Sequence, residues 1–517
     1  MKFNITSSVS TFFKVLMFFF TATISYAQSG NIVSMQPEPG RNGVPIDTQL
    51  KIKFKNTPEL GVAGKIKIYD AKTDSLVDVL DMSIPPGPTE PNKVKAPYIK
   101  NPYKYESTNY TNINTKAGTP SGGAEPTSDA YQLTIIGRFT DGFHFYPVIV
   151  NGNEATIYLH NNMLTYNTSY YITIDKSVFV VEGQEFKGIT KQDDWVFSTK
   201  KKAPSHVHTI TVAADGSADF STVQGAIDFV PDYKKEPTAI YIKNGRYEEI
   251  VYFKNKTNVT FKGESREGVV VCYRNNEVFN PHPVNVATNE WPGTYPSRRA
   301  AFMVDNSTGI LLQDLTIESI NPEPAQAEGL LINGAENVVK NVTIIGSGDA
   351  LQANGSAYFY NVSVTGIGDN ILGRGPCYFE ESTFITTGGP HMWIRNTKAN
   401  HGNVFKKCTF KSIGDAEAVI ARAPVNKKFT YPYAEAVLLN CRLQGVVPEG
   451  FGPVGGETSN IHFWEYNSIS LIDGKPVDTS KRHPVTKQLT LPNDKDVIEN
   501  YRNPAYILGD WVLPFIE

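Results

Sequence analysis

Six short segments in the second half of the chain, LLQDLTI, VVKNVTI, YFYNVSV, FEESTF, FKKCTF and LLNCRL, carry one pattern. Aligned, they place Leu315, Val342, Val362, Ser382, Cys408 and Cys441 in one column, and Ile317, Ile344, Val364, Phe384, Phe410 and Leu443 in the next column but one. Successive copies are offset by 27, 20, 20, 26 and 33 residues. Constant strands joined by variable connections are what stacked repeats leave in a sequence, because one short strand cannot bury its apolar face alone. The expected architecture is a parallel β-helix. On adjacent rungs Cys408 and Cys441 are close enough to bond, and stacked buried thiols are the alternative.

The same register places carboxylates. Five residues beyond Ile344, Val364 and Phe410 come Asp349, Asp369 and Asp415, in the strings IIGSGD, VTGIGD and FKSIGD. Rungs stack about 4.8 Å apart, so Asp349 and Asp369 are expected as direct neighbours on one outer face. Asp after Gly is also ordinary turn chemistry. Two stacked carboxylates repel, however, and a purely structural ladder is better served by Asn, which makes the pair a candidate catalytic or metal site.

Before the repeat the chain changes character. Lys2 and Lys14, the apolar run Val15 to Ile24 and the small residues up to Ala27 read as a secretory signal peptide over 1–27, too short to be a membrane anchor. From Asn31 to Lys200, period-two runs such as Leu50 to Phe54, Ile66 to Tyr69, Thr156 to Leu159 and Tyr171 to Ile174 predict half-buried strands of a small sandwich. Through PEPGRNGVPIDTQLKIKF, LTYNTSYYITID and DDWVFSTK this part resembles bacterial Ig-like domains. It is assigned 28–203, with a long insertion from Ile84 to Ala130 that carries Tyr98, Tyr103, Tyr105 and Tyr110. After the link KKKAPSHVH, residues 204–517 form the β-helix, opened by a short amphipathic helix in DFSTVQGAIDFVP with Ser221 placed to cap it. The fold class is thus all-β, a right-handed parallel β-helix preceded by a small Ig-like β-sandwich.

Composition narrows the partners. A net charge of −3 argues against nucleic acid and gives no global pull on a polyanion, so an acidic polymer would need local Arg and Lys. Four cysteines without paired CxxC spacing make neither a disulfide scaffold nor a zinc site.

From Thr211 onward the chain resembles the pectin methylesterases. VAADGSADFSTVQGAIDFVP is similar to that family's opening, SRRAAFMVDN to its second block and DTSKRHPVTKQL to its C-terminal tail. The family's first glutamine matches Gln326 in PAQAEGLLING, its general acid Asp349, its nucleophile Asp369 in TGIGDNILG, and its Gly-Arg-Pro arginine Arg422 in IARAPV. The resemblance implies hydrolysis of methyl esters of polygalacturonate through an aspartyl acyl-enzyme, with pectin as the partner and no cofactor, metal, nucleic acid or membrane anchor. A monomer is expected. Arg298, in the second block, is expected to bind substrate.

The departures fall inside the site. Gly348 stands where the family has its second glutamine, Asn370 replaces an aromatic beside the nucleophile, and the aromatic after the Arg-Pro motif is missing. His391 or Trp393, in GGPHMWIRN, could supply the lost sugar-stacking surface, and Trp393 could equally be packing. Two rival readings are a calcium-dependent pectin lyase using Asp349, Asp369 and Asp415, and a glycan-binding β-helix whose esterase site has decayed. Asp415, about 10 Å from Asp369 across the TTGG rung, is too far to share an ion.

Overall fold

The computed structural model describes residues 31–88, 131–137, 143–182, 186–191, 195–280, 298–322, 324–415, 417–426 and 429–516. The expected leader and most of the insertion, including its four tyrosines, lie outside the described residues.

Two sheets face each other in the first part. One runs through Ile32–Gln36, Leu50–Phe54, Glu154–Ile157 and Val148–Asn151, and the other through Asn42–Val44, Val196–Thr199, Ser169–Ile174, Lys65–Asp70 and Leu76–Asp81. Their alternating residues do what a pleat requires: Leu50, Ile52 and Phe54 are fully buried while Lys53 faces water. Ile66, Ile68, Ile172 and Trp195 complete the same core.

Every strand pairing from Thr209 onward is parallel, and the aligned columns stack as the repeat predicts. Ile317 pairs with Ile344, Ile344 with Val364, Val364 with Phe384, Phe384 with Phe410 and Phe410 with Leu443. The structure is a parallel β-helix. Because the rung spacing is close to the contact distance of aromatic rings, side chains in one column stack directly. Phe359, Phe379 and Phe405 do so, with ring centroids 4.3 and 4.9 Å apart. The residue before the first aligned column turns the chain at each corner in a left-handed conformation: φ is 55° at Asn341, 51° at Asn361 and 55° at Asn440. Asn tolerates that region better than most residues, and here it also links rungs, Asn341 Nδ2 donating to Asp314 Oδ1 at 2.6 Å.

All four cysteines are buried and free. Cys408 and Cys441 donate to the Phe379 and Phe405 carbonyls at 3.4 and 3.3 Å, which is the stacked-thiol arrangement.

The expected helix is Val223–Phe229, but Thr222 rather than Ser221 caps it, its Oγ1 accepting from the Gly225 N–H at 2.9 Å. The Ser221 N–H is taken by Asp47 of the sandwich at 3.0 Å, so the start of the β-helix is hydrogen-bonded to the part before it. At the other end, helices Lys495–Arg502 and Pro504–Leu508 cover an outward apolar column of Val338, Tyr358, Tyr378, Val404 and Val437 with Tyr501, Ile507 and Leu508. Among the described residues no helix is long and apolar enough to cross a membrane.

Candidate active site

Asp349 and Asp369 occupy equivalent turns, after Asn337–Ile345 and before Leu351–Ala353 for the first, and after Ser363–Gly366 and before Ile371–Gly373 for the second. Gly348 bridges to Gly368 and the Asp349 N–H donates to the Gly368 carbonyl at 3.1 Å, so the two aspartates are neighbours on adjacent rungs. Both have positive φ, 64° and 46°, a conformation Asp accepts more readily than most side chains.

The environments of the two carboxylates differ. Asp349 is buried at 6% exposure, and burial pushes its pKa up to about 7, with Arg299 pulling down and Glu328 and Asp369 pushing up. Asp369 keeps a more open side chain and is gripped by Arg422, whose Nε donates to Oδ1 at 2.8 Å and whose Nη2 donates to Oδ2. A two-pronged guanidinium contact of this kind favours the ionised carboxylate. The structure thus sets a buried carboxyl that holds its proton near neutrality beside one gripped by a guanidinium.

Gln326 lies on the preceding rung, bridging directly to Gly348. Its Oε1 accepts from Arg299 Nη1. A guanidinium has no acceptor, so this contact fixes the amide with its Nε2 hydrogens on the side away from Arg299. At Gly348 itself the backbone is committed: its N–H donates to Ala325 O at 2.8 Å and its carbonyl accepts from the Ala327 N–H at 3.0 Å.

Three sequence expectations need correction or refinement. Arg298 is buried at 2% exposure, with its guanidinium 5.8 Å from the Phe143 ring, so it packs at the junction with the sandwich and is too covered to bind substrate. Its neighbour Arg299 reaches the site instead, its Nη2 donating to Asp349 Oδ2 at 2.9 Å. His391 is fully buried, edge-on to Phe410 at 5.2 Å, and burial lowers its pKa to about 3; it is a neutral interior residue, unable to stack on a sugar. Asn370 is buried too, donating to the Ile385 carbonyl at 2.7 Å. Trp393 is partly exposed, one rung from Arg422 in the same column, with the guanidinium carbons of Arg395 and Arg422 4.6 and 4.5 Å from its ring.

Asp415 is exposed, and Gly388 and Gly389 stand on the intervening rung. Among the described residues no three His, Cys, Asp or Glu side chains gather closely enough to hold a metal ion.

Sequence reasoning missed Arg299 and Glu328. Glu328 is fully buried, and both its oxygens accept from Arg299 Nε at 2.9 Å. The available signal was an acid two residues after Gln326 in an otherwise apolar strand start, together with a second arginine beside Arg298.

Comparison with known proteins shows what the chain is similar to. The pectinesterase family model matches residues 209–507. A probable pectinesterase/pectinesterase inhibitor 19 of Arabidopsis thaliana is 25% identical over 300 residues, covering 54% of this chain and 55% of that protein. Pectinesterase QRT1 of the same plant is 26% identical over 344 residues, 62% of this chain and 84% of its own. The chain spans about half the length of the first of these relatives. Among solved structures, the pectin methylesterase from carrot is 22% identical with a TM-score of 0.48, over 60% of this chain and 97% of its own. That of Aspergillus niger is 20% identical with a TM-score of 0.47, over 61% and 98%. With more than half its length matched by the family model, the chain belongs to the pectinesterase family.

Proposed function

We propose that this protein hydrolyses the methyl esters of polygalacturonate to pectate and methanol, without a metal or cofactor in the chemical steps. The observation that carries the reading is the difference between two neighbouring carboxyls: Asp349, buried and protonated to about neutral pH, and Asp369, held by Arg422. Pairs of acids pushed apart in this way divide the roles of proton donor and nucleophile.

In this account the Asp369 carboxylate attacks the ester carbonyl carbon, and the negative charge that develops on the carbonyl oxygen is met by the Gln326 amide. As the intermediate collapses, the C–O bond to the methoxy group breaks and Asp349 gives that oxygen its proton, so methanol leaves. The product left behind is an anhydride between Asp369 and the uronate. Asp349, now a carboxylate, takes a proton from water as that water attacks the uronate carbonyl. The anhydride bond breaks, Asp369 returns as carboxylate, and Asp349 is protonated again. Trp393 offers a partly exposed aromatic surface beside Arg422 on which a sugar ring can stack.

Around this centre we place an Ig-like sandwich at 28–203 and the catalytic β-helix at 204–517, with export directed by residues 1–27 and the mature protein a secreted monomer. The support is the charged start, short apolar run and small residues of the N-terminus, and the two-sheet packing of the sandwich.

The test is incubation of the purified chain with highly methylesterified polygalacturonate in the presence of a chelator, measuring methanol and new reducing ends together. Methanol without chain cleavage is expected. Chain cleavage with loss of activity in chelator would instead indicate a lyase, and neither product would indicate a binding module.

A further inference from the structure

Arg299 hydrogen-bonds to three side chains around the candidate site, and nothing in the resemblance assigns it a role. It lies before the strand Phe302–Thr308, two rungs below Asp349 in the stack through Leu330 and Leu351. From there its guanidinium reaches three partners on two rungs: Nη1 donates to Gln326 Oε1, Nε to both oxygens of Glu328 at 2.9 Å, and Nη2 to Asp349 Oδ2 at 2.9 Å. Arg299 is 7% exposed and Glu328 is fully buried, so the ion pair is sealed from solvent. Arg422 mirrors it from the other side, reaching two rungs back to Asp369.

We infer that Arg299, seated by Glu328, is the positioning residue of the esterase centre. The inference rests on the esterase reading given above. It has three physical parts. First, by occupying Gln326 Oε1, Arg299 leaves only the Nε2 hydrogens of that amide for substrate, which is the orientation an oxyanion needs. Second, by donating to Asp349 Oδ2, it leaves Oδ1 as the atom that carries the proton for the departing methanol. Third, a lone buried guanidinium at this distance would drive Asp349 to its anion, and Glu328 balances that charge. The charged groups facing Asp349 are then Arg299, Glu328, Asp369 and Arg395, with Arg422 beyond Asp369, and Glu277 adds to the field around Arg299.

Two variants and two readouts test this. In Glu328→Gln the uncompensated Arg299 should hold Asp349 as an anion more strongly, and the alkaline limb of the kcat profile should move down by roughly one pH unit. A residue with only a structural role would lower kcat at every pH and leave the limb in place. The double replacement Arg299→Met with Glu328→Leu removes the pair together, which buried ion pairs commonly tolerate, so folding should persist. There kcat should fall by about tenfold or more, since Gln326 is no longer held, while KM changes little. Infrared titration of the protonated carboxyl that disappears in Asp349→Asn gives the same answer without turnover: its midpoint should drop in Glu328→Gln. That readout separates the two ideas, because a wild-type protein releasing no methanol would end the esterase reading while the carboxyl titration still judges the Arg299 coupling. An unmoved midpoint or limb in Glu328→Gln, or wild-type kcat in the folded double variant, overturns the inference.

Discussion

Arg422 and Asp369 meet across two rungs of the β-helix, the Arg422 Nε donating to Asp369 Oδ1 at 2.8 Å while Nη2 takes Oδ2. The contact sets a guanidinium on Asp369 beside a second carboxyl, although the two partners lie 53 residues apart in sequence. Parallel stacking turns that separation into a few ångströms.

Trp393 lies against that arginine, 4.5 Å from its guanidinium carbon. Trp393→Ala should loosen Arg422 and remove a stacking surface together. A fall in kcat/KM of about 2- to 30-fold follows from the usual worth of such a cation–π contact. Steady-state kinetics on methylesterified pectin would measure it, and an unchanged kcat/KM would mean that the ring neither orients Arg422 nor touches substrate.

Asp349, with burial raising its pKa to about 7, should set an alkaline limb to the activity. Turnover is expected to fall as pH rises through about 7, because the proton needed by the leaving methanol is gone. Stability follows the same group: its folded pKa lies above its unfolded value of 3.8, so the fold loses stability as pH rises from about 4 to about 7. Asp349→Asn, which mimics the protonated form, should therefore melt progressively higher relative to wild type as pH increases across that window. A constant difference between the two melting curves would contradict the raised pKa.

The stacking was legible because a rung has one repeating register. Six aligned segments gave the interior column from Ile317 to Leu443, and counting five residues onward found both aspartates on adjacent rungs. What failed was the side of the chain on which a residue lies outside the repeat. Arg298 and Arg299 are adjacent in a bent segment before the strand, so choosing between them required knowing which one the Phe143 ring covers. His391 looked available for sugar stacking, but its turn sends the ring inward onto Phe410. Glu328 was hidden because an isolated acid beside a strand is usually a solvated residue, and only the fold reveals that Arg299 seals it in. The C-terminal helices escaped because Lys495–Arg502 buries only Ile498 and Tyr501, too few positions for a periodic signal.

Those helices are fastened by Glu435. It accepts from Tyr501 Oη at 2.8 Å and pairs with His401 and His462, each at 2.9 Å. Burial opposes the charge, yet the hydrogen bonds from His401, His462 and Tyr501 hold the Glu435 pKa at about 2, and that with Glu435 raises the pKa of His401. The carboxylate's contribution is present above its unfolded value of 4.5 and lost as pH falls toward about 2. The imidazolium's contribution is present below its unfolded value of 6.5 and lost as pH rises through the raised folded value. Glu435→Gln should thus destabilise most between about pH 4.5 and 6.5, by roughly 1 to 3 kcal/mol after allowing for the partly exposed imidazoles. Denaturant melts across pH would test this, and a deficit that does not change with pH would rule out the charge coupling.

Gly348 leaves room for the missing amide. Its φ is not among the positive values, and an added Cβ would stand 3.2 Å from the Ala325 carbonyl oxygen, which a shift of a few tenths of an ångström relieves. Gly348→Gln should fold, with a stability loss below about 1 kcal/mol, and raise kcat by up to about 10²-fold if it adds an oxyanion donor. A folded variant no faster than wild type would mean that the Gln326 amide already completes the hole.

The central claim is that Asp369 attacks the ester. Asn at 369 keeps the left-handed turn and the size of the side chain, so Asp369→Asn should fold with a melting temperature close to wild type. Methanol release from highly methylesterified polygalacturonate, measured for both proteins at the pH of highest wild-type activity, should then fall by about 10⁴-fold in the variant. Methanol release at the wild-type rate from folded Asp369→Asn would contradict the account.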